Sequence, residues 1–195
     1  VAHNLSTLGG ACAVQRSTNA GVNWSDAGAG TITPSDNSPM VWRMVDSGNA
    51  AADWRFNFTG LTAGAPLYVG VAFLGPDMVF PDRFFQGFAP VIQPTEVNLL
   101  SNVSVGGHLL GSSVIGRGSR LTAPFRHVSP AFVRGAMKPF IPHFNEGKGF
   151  VFGWRPAAYA QDAHYCWRDG DPLVPAHSEA LDFMAFTLSM RAYEG

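Results

Sequence analysis

Glycine and proline recur so often along this chain that few windows could hold three turns of helix. The 195 residues include 22 Gly and 14 Pro, and both residue types interrupt regular helices. The segments between them are short, and many are apolar or alternate between apolar and polar residues, which is typical of the strands of a sandwich or jelly roll. The sequence therefore predicts an all-β fold, a jelly roll or β-sandwich, with at most one or two short helices.

The clearest strand signal is a strict alternation in residues 54–58. Trp54, Phe56 and Phe58 fall on one face of this segment, as expected for a strand with one buried face. The segment 67–74 is apolar on both faces, which predicts a central strand. The same reasoning predicts a hairpin formed by 114–120 and 121–127, and further strands over 11–15, 40–45, 96–105, 149–154 and 181–190.

One segment carries helix signals. Ser129 is a candidate N-cap, and Pro130 stands at the first helical position, where its fixed backbone angle suits a helix. These signals predict a short helix over 131–138 that ends before Pro139.

Charged residues are scarce, and their signs nearly cancel. The chain has 13 Lys and Arg against 14 Asp and Glu, which leaves no basic surface for the phosphates of a nucleic acid. Charged types make up 14% of the residues, whereas soluble domains average about 25%. Because exposed apolar surface tends to associate, this composition favours a subunit of a larger assembly. No apolar run approaches the ~20 residues that cross a membrane, so we expect no membrane insertion.

The residue types that carry catalysis or bind metals show no suitable spacing. No two of the six histidines are spaced as HxH or HExxH, and no Gly-x-Ser-x-Gly motif is present. The Gly-rich stretches 28–30 and 116–118 lack the Lys-Ser/Thr of a phosphate-binding loop, so they predict flexible turns. A turn is also predicted at 169–171, where Asp-Gly-Asp matches only part of a calcium loop. We therefore expect no catalytic residue, no metal and no cofactor, and so no enzyme.

The two cysteines predict buried free thiols. Cys12 and Cys166 are far apart in the sequence and have no CxxC spacing. His164 lies two positions before Cys166, so in a strand both side chains would face the same side. Nothing in the sequence supplies a third group to orient this pair, which disfavours a cysteine hydrolase.

Trp-Arg dipeptides and a cluster of phenylalanines are the strongest candidates for contacts with a partner. Because neighbouring side chains on a strand face opposite ways, we expect each Trp to enter the core and its Arg to reach the surface or a partner. Residues 80–88 are dense in Phe, and we expect these rings to be buried by another chain or by the other half of this one. The predicted assembly contacts are Phe80, Phe84, Phe85, Phe88, Arg43, Arg55, Arg155 and Arg168.

Two segments near the start of the chain, 1–5 (VAHNL) and 14–24 (VQRSTNAGVNW), resemble the middle of a discoidin-like domain. The same segments open a group of tailed-phage and prophage virion proteins, whose later strands resemble 40–43, 54–56, 68–75, 150–156 and 162–167 of this chain. The resemblance implies a discoidin-like, galactose-binding-like β-sandwich whose first strands are missing here or contributed elsewhere. Residues 105–111 keep the Gly and Leu of the group's pattern without its Glu, and no sugar- or lipid-binding loop residue carries over.

The resemblance implies a discoidin-like portion over 1–75 and a β-rich C-terminal region over 76–195. It also implies a structural protein of a tailed-bacteriophage virion, in the tail tip or baseplate, that acts through homo- and hetero-oligomeric contacts with other virion proteins. Three alternatives stay open: a carbohydrate-binding module that contacts host surface glycans, a capsid decoration protein, and a hydrolase whose site is assembled from distant residues.

Overall fold

The fold is all-β, as the sequence predicts, with two curled antiparallel sheets and two short helices. A computed structural model describes residues 3–37, 40, 51, 53–81, 88–90, 96–156, 158–159, 162–178 and 182–193. The predicted strand over 40–45 lies outside the described residues except for Met40.

The chain divides into two compact units. The first contains Val1–Ala72, Pro156–Gln161 and Gly195, and the second contains Phe73–Arg155 and Asp162–Glu194. The main division falls between Ala72 and Phe73, and a short segment late in the chain, Pro156–Gln161, belongs to the first unit.

The first unit contains a three-stranded sheet, in which β1 (Ala11–Ser17) lies between β2 (Ser25–Ile32) and β3 (Asp53–Thr59). The predicted strands over 11–15 and 54–58 are confirmed as β1 and β3. In β3 the alternating rings of Trp54, Phe56 and Phe58 are half-buried, while Arg55 between them is exposed.

The flexible turn predicted at 28–30 is wrong, because these residues belong to β2. Ala13 and Gln15 of β1 pair with Thr31 and Asp26 of β2, so β2 fits four residues opposite one. Gly28 and Gly30 have φ angles of +69° and +75°, a left-handed conformation that glycine adopts without steric cost. The two glycines therefore let β2 hold this bulge without leaving the sheet.

The central strand predicted over 67–74 is also wrong. Among the described residues, only Val69 makes a β-bridge, to His3. Beside it the backbone N–H of Tyr68 donates to Oδ1 of Asn4 at 2.7 Å. Val71 and Leu74 further along are exposed. Apolar residues on both faces indicated a covered strand, but the described part of the chain supplies no neighbouring strands to cover it.

The second unit contains a six-stranded sheet and both helices. Five strands lie in the order β4 (Glu96–Val103), β5 (Leu109–Val128), β9 (Phe183–Ala192), β7 (Ala163–Arg168) and β6 (Phe150–Gly153), and β8 (Ala176–Ser178) also pairs with β9. The hydrophobic core packs mainly against β5 and β9, with Phe125 and Leu188 almost fully buried.

The hairpin predicted within 114–127 is wrong, since these residues form one continuous strand. β5 pairs with β4 as far as Gly118 and with β9 from Ser119 onwards. The turn predicted at 116–118 is therefore wrong too. The glycines mark the point where the strand exchanges one neighbour for another, and the chain does not reverse there.

The predicted start of the first helix is confirmed, and its predicted end at residue 138 is wrong. The Oγ of Ser129 accepts a hydrogen bond from the N–H of Phe132, and Pro130 begins α1 (Pro130–Arg134). The helix ends four residues before the predicted 138, because a turn containing Gly135 follows. A second helix, α2 (Phe140–Asn145), begins directly after Pro139, a residue that stops one helix and suits the start of the next.

Candidate assembly surface

The largest group of exposed apolar side chains lies on a two-stranded ribbon of the second unit. We name residues 97–116 the arm: they comprise β4 after Glu96, a turn, and β5 up to Gly116. The arm contains no Lys, Arg, Asp or Glu. Its turn is closed by hydrogen bonds from the N–H of Ser104 to the carbonyl of His108, at 2.8 Å, and from the N–H of Gly107 to the carbonyl of Ser104, at 2.9 Å.

The register of the ribbon separates its side chains into an apolar face and a polar face. Directly paired residues of antiparallel strands share a face, and successive residues alternate. Leu99 pairs with Val114 and Val103 pairs with Leu109, with the Ser101–Ser112 pair between them. Together with Val97, these residues form the apolar face. The opposite face carries Leu100 and otherwise only small or polar residues: Asn98, Asn102, Gly111, Ser113 and Gly116.

The apolar face is open to solvent in the described part of the chain. All five of its Leu and Val side chains are exposed, from 45% for Val97 to 66% for Leu109. Two β-bulges add to this surface, because Leu110 and Ile115 of β5 have no partner on β4. Both bulged residues are 70% exposed.

Neither edge of the arm pairs with another strand among the residues that the structure describes. β4 is the outermost strand of its sheet, and β5 has no described neighbour other than β4 before Ser119. Proteins protect such edges with lysine, proline, inward-pointing charge or β-bulges; the arm lacks the first three and has two bulges. Its edges and its apolar face can therefore accept a partner.

Four charged side chains form a network of ion pairs at the base of the arm, where β4 begins at Glu96. The carboxylate of Glu96 bonds Nε of Arg120 at 3.0 Å and a guanidinium nitrogen of Arg191 at 2.8 Å. Nε of Arg120 also lies 2.7 Å from the carboxylate of Asp169. Because these residues lie on β4, β5, β9 and the segment after β7, the network joins the start of the arm to the sheet.

The predicted contact residues Phe80 and Phe88 pack within the second unit. The ring of Phe80 stacks on Phe125, with 4.2 Å between ring centroids. The ring of Phe88 lies 6.0 Å from Phe152 and 6.1 Å from Trp154. Both phenylalanines are half-buried against the core. That their exposed edges also contact another chain stays a prediction.

Two of the predicted arginines lie over tryptophan rings. The guanidinium carbon of Arg55 lies 4.3 Å from the ring centroid of Trp24, and that of Arg155 lies 5.7 Å from the ring centroid of Trp154. Arg168 is half-buried at the end of β7, opposite Met190 of β9. Phe84, Phe85 and Arg43 lie outside the described residues.

The tryptophans of the described Trp-Arg pairs are partly buried, and Trp154 packs against the core of the second unit. Trp54, Trp154 and Trp167 are half-buried. An indole carries an N–H that needs a partner, and Nε1 of Trp154 donates to a carboxylate oxygen of Asp162 at 2.8 Å. The Trp154 ring therefore packs against the core while its N–H reaches a carboxylate.

Both cysteines are buried free thiols, as predicted. Burial raises the pKa of Cys166 to about 12 and that of Cys12 to about 11. The Sγ of Cys166 donates to the backbone carbonyl of His164 at 3.5 Å, rather than to its ring. A reactive cysteine needs a depressed pKa, so these thiols lack the environment of a nucleophile.

An open groove of about 410 Å³ lies on the second unit, lined by Val133, Arg134, Lys138, Ile141, Pro175 and Met184. Among the described residues that line it, none is aromatic and none carries a carboxylate. Within the described residues, no three His, Cys, Asp or Glu side chains come together as a metal site, and no helix has the length and apolarity to cross a membrane.

Comparisons with known proteins add no assignment, since no protein-family model, no curated protein and no solved structure matches this chain. The arm is therefore the candidate site on the strength of its own geometry. Sequence analysis predicted a strand over 96–105 but missed the arm as a contact surface. The signal that could have revealed it is the run 97–116, which is rich in Leu and Val and wholly without formal charge.

Proposed function

We propose that this protein is a structural subunit of a tailed-phage virion, a tail-tip or baseplate component that acts through assembly contacts. The resemblance to tailed-phage virion proteins supports the kind of particle, and the exposed apolar face of the arm supports the mode of action. Its partners are other virion proteins, and neither a metal nor a cofactor takes part in its role.

The arm carries this proposal because a two-stranded ribbon with one apolar face is poorly suited to remain alone in water. An isolated hairpin is marginally stable, and a second layer against its apolar face is what stabilises it. Full burial of one Leu or Val side chain stabilises by about 1.5–3 kcal/mol. Five such side chains, each about half exposed, leave on the order of 5 kcal/mol of apolar burial for a partner to supply.

The test is to locate the chain in particles from its native source. An antibody against this chain should label purified particles at the tail tip in electron micrographs. Label on the head would favour the capsid decoration protein instead, and binding to a glycan array would favour the carbohydrate-binding module.

Incorporation should depend on the apolar face of the arm. The double variant Leu99→Ser/Leu109→Ser should be depleted from particles, because it makes one leucine at each end of this face polar. Leu100→Ser lies on the opposite face and is the control. Equal incorporation of the double variant and the wild type would contradict the proposal.

A further inference from the structure

We infer that the apolar face of the arm packs against the same face of a second copy of this chain, across a two-fold axis. This inference rests on the proposed function and names the partner at the arm. It follows from the pattern of residues on the face, from its lack of charge and from its area.

The apolar face has a palindromic pattern. Along the ribbon the paired residues are Leu99 with Val114, then Ser101 with Ser112, then Val103 with Leu109. Each end of the pattern therefore carries one leucine and one valine, on opposite strands, with a serine pair in the centre.

A two-fold axis through the serine pair makes this pattern complementary to itself. Let the axis lie between the two packed ribbons and run perpendicular to their strands. Leu99 of one copy then lies over Val103 of the other copy. In the same way, Val114 of one copy lies over Leu109 of the other. Large side chains then meet small ones at both ends, which lets packed faces interdigitate. The serine hydroxyls meet at the axis, where they can hydrogen-bond directly or through water.

The absence of charge agrees with the same partner. A charged partner surface would have to lose its hydration against an apolar face that offers no counter-charge, and this is costly. The face of a second copy brings no such charge. Arg117, which pairs with Val97 at the base of the face, falls at the rim of the paired arrangement, where it remains hydrated.

The available area predicts a weak pair. Full burial of a Leu, Val or Ile side chain stabilises by about 1.5–3 kcal/mol, at about 25 cal/mol per Å² of apolar surface. Each side chain therefore offers roughly 60–120 Å² of apolar surface. The five apolar residues of the face and the two bulged residues then offer roughly 400 Å² on each copy, since each is about half exposed. The pair then buries about 800 Å² in total, below the roughly 1,000 Å² of a stable interface, so we expect a weak association, in the micromolar range, that is strengthened when several contacts act together in a particle.

The experiment is sedimentation equilibrium of the full chain, from about 1 to 100 µM, with two variants of neighbouring leucines. Leu99 and Leu100 are 57% and 56% exposed but lie on opposite faces of the arm. Because each residue occurs twice in a symmetric pair, Leu99→Ser should raise the dimer Kd about tenfold or more. Leu100→Ser should change it less than about threefold.

A crosslinking measurement tests the position of the axis. Packed sheets lie about 10 Å apart, so a short bis-maleimide suits cysteines placed there. Ser101→Cys should yield a covalent dimer, whereas Asn102→Cys, one residue along on the opposite face, should not. The native Cys12 and Cys166 are buried and give no background.

Three outcomes would overturn the inference: a monomeric wild-type chain at the highest concentration, equal effects of the two leucine variants, or equal crosslinking of the two cysteine variants. If Leu99→Ser nevertheless lowers incorporation into particles, the arm binds a different virion protein, and the proposed function stands while this inference fails. If the chain pairs as expected but is absent from particles, the proposed function fails and the pairing stands.

Discussion

The two halves of β5 belong to one continuous strand, but the side chains of the first half are exposed to solvent and alternate side chains of the second half pack in the core. From Leu109 to Arg117 the side chains face solvent, whereas from Ser119 to Phe125 every second residue is buried. The first half pairs only with β4, and the second pairs with β9 and packs on the core. Leu109 is 66% exposed and Leu121 is 2% exposed, although they are the same residue type in the same strand.

This difference teaches that strand formation and burial have separate causes. In both halves the backbone N–H and C=O groups form hydrogen bonds to at least one neighbouring strand, and this is enough to keep the strand extended. The second half pairs with β9, and its alternate side chains belong to the hydrophobic core. In the described part of the chain the first half remains an exposed apolar surface.

The largest expected effect comes from shortening one leucine in each half. Leu121→Ala should lower the free energy of unfolding by about 2–5 kcal/mol, because it leaves a cavity in the core. Leu109→Ala should lower it by less than about 0.5 kcal/mol, because its side chain contacts mainly water. Urea denaturation at low protein concentration, where the chain is monomeric, measures both. Similar losses for the two variants would show that the arm is covered within the chain.

A smaller effect is expected on the pH dependence of stability, through Cys166 in the core that the second half of β5 packs against. In the folded chain the pKa of Cys166 is about 12, against an ordinary value of 9.0. Between these values the unfolded chain loses the thiol proton while the folded chain keeps it, so stability falls as pH rises, by up to about 1.4 kcal/mol per pH unit.

Cys166→Ala should therefore reduce the loss of stability between about pH 8 and about pH 10, while Cys12, whose pKa is also raised by burial, keeps its own contribution. An arm variant, Ser101→Ala, should keep the wild-type slope, since the only titratable side chain of the arm is His108. The measurement is the urea midpoint at each pH. An unchanged slope in Cys166→Ala would mean that the buried thiol does not limit alkaline stability.

The smallest effect on stability is expected from the ion pairs at the junction between the two halves of β5, where the strand passes from β4 to β9. Glu96→Gln removes the charge that Arg120 and Arg191 share at the base of the arm. Because these groups are partly exposed, the loss should be about 0.5–1 kcal/mol at low salt and less at high salt.

Hydrogen exchange gives the sharper measurement of this junction. The amides of β4 should exchange faster in Glu96→Gln, while those of β5 after Ser119 keep their protection. Glu146→Gln, which disrupts an exposed pair with Lys148, should leave both sets unchanged. Equal acceleration in both halves of β5 would indicate that the junction does not separate them.

The strands with clear periodicity could be predicted from the sequence, because alternation reports which residues share a face. This succeeds for Trp54, Phe56 and Phe58 and for the capped start of α1 at Ser129. It fails over 67–74 and at 116–118. Apolarity cannot show whether neighbouring strands exist, and glycine cannot show whether a strand turns or changes partners.

The candidate site illustrates the same limit. The strand containing Leu99 was predictable, but whether a second layer lies over its apolar side depends on distant parts of the chain. Aromatic density directed the prediction of contacts to 80–88, where the described rings of Phe80 and Phe88 find partners in their own core. The uncharged run 97–116 was the more informative signal, because it marks a surface that water does not favour.

The two bulges of the arm bear on how far an assembly of these chains can grow. Flat, unprotected strand edges can add further strands without limit, as in amyloid fibrils. Leu110 and Ile115 interrupt the ladder of the arm twice within a short distance, and each bulge bends the strand and increases its local twist. A ribbon shaped in this way resists stacking edge to edge into a fibril. The bulges thus favour a closed contact with a fixed number of copies over an open polymer.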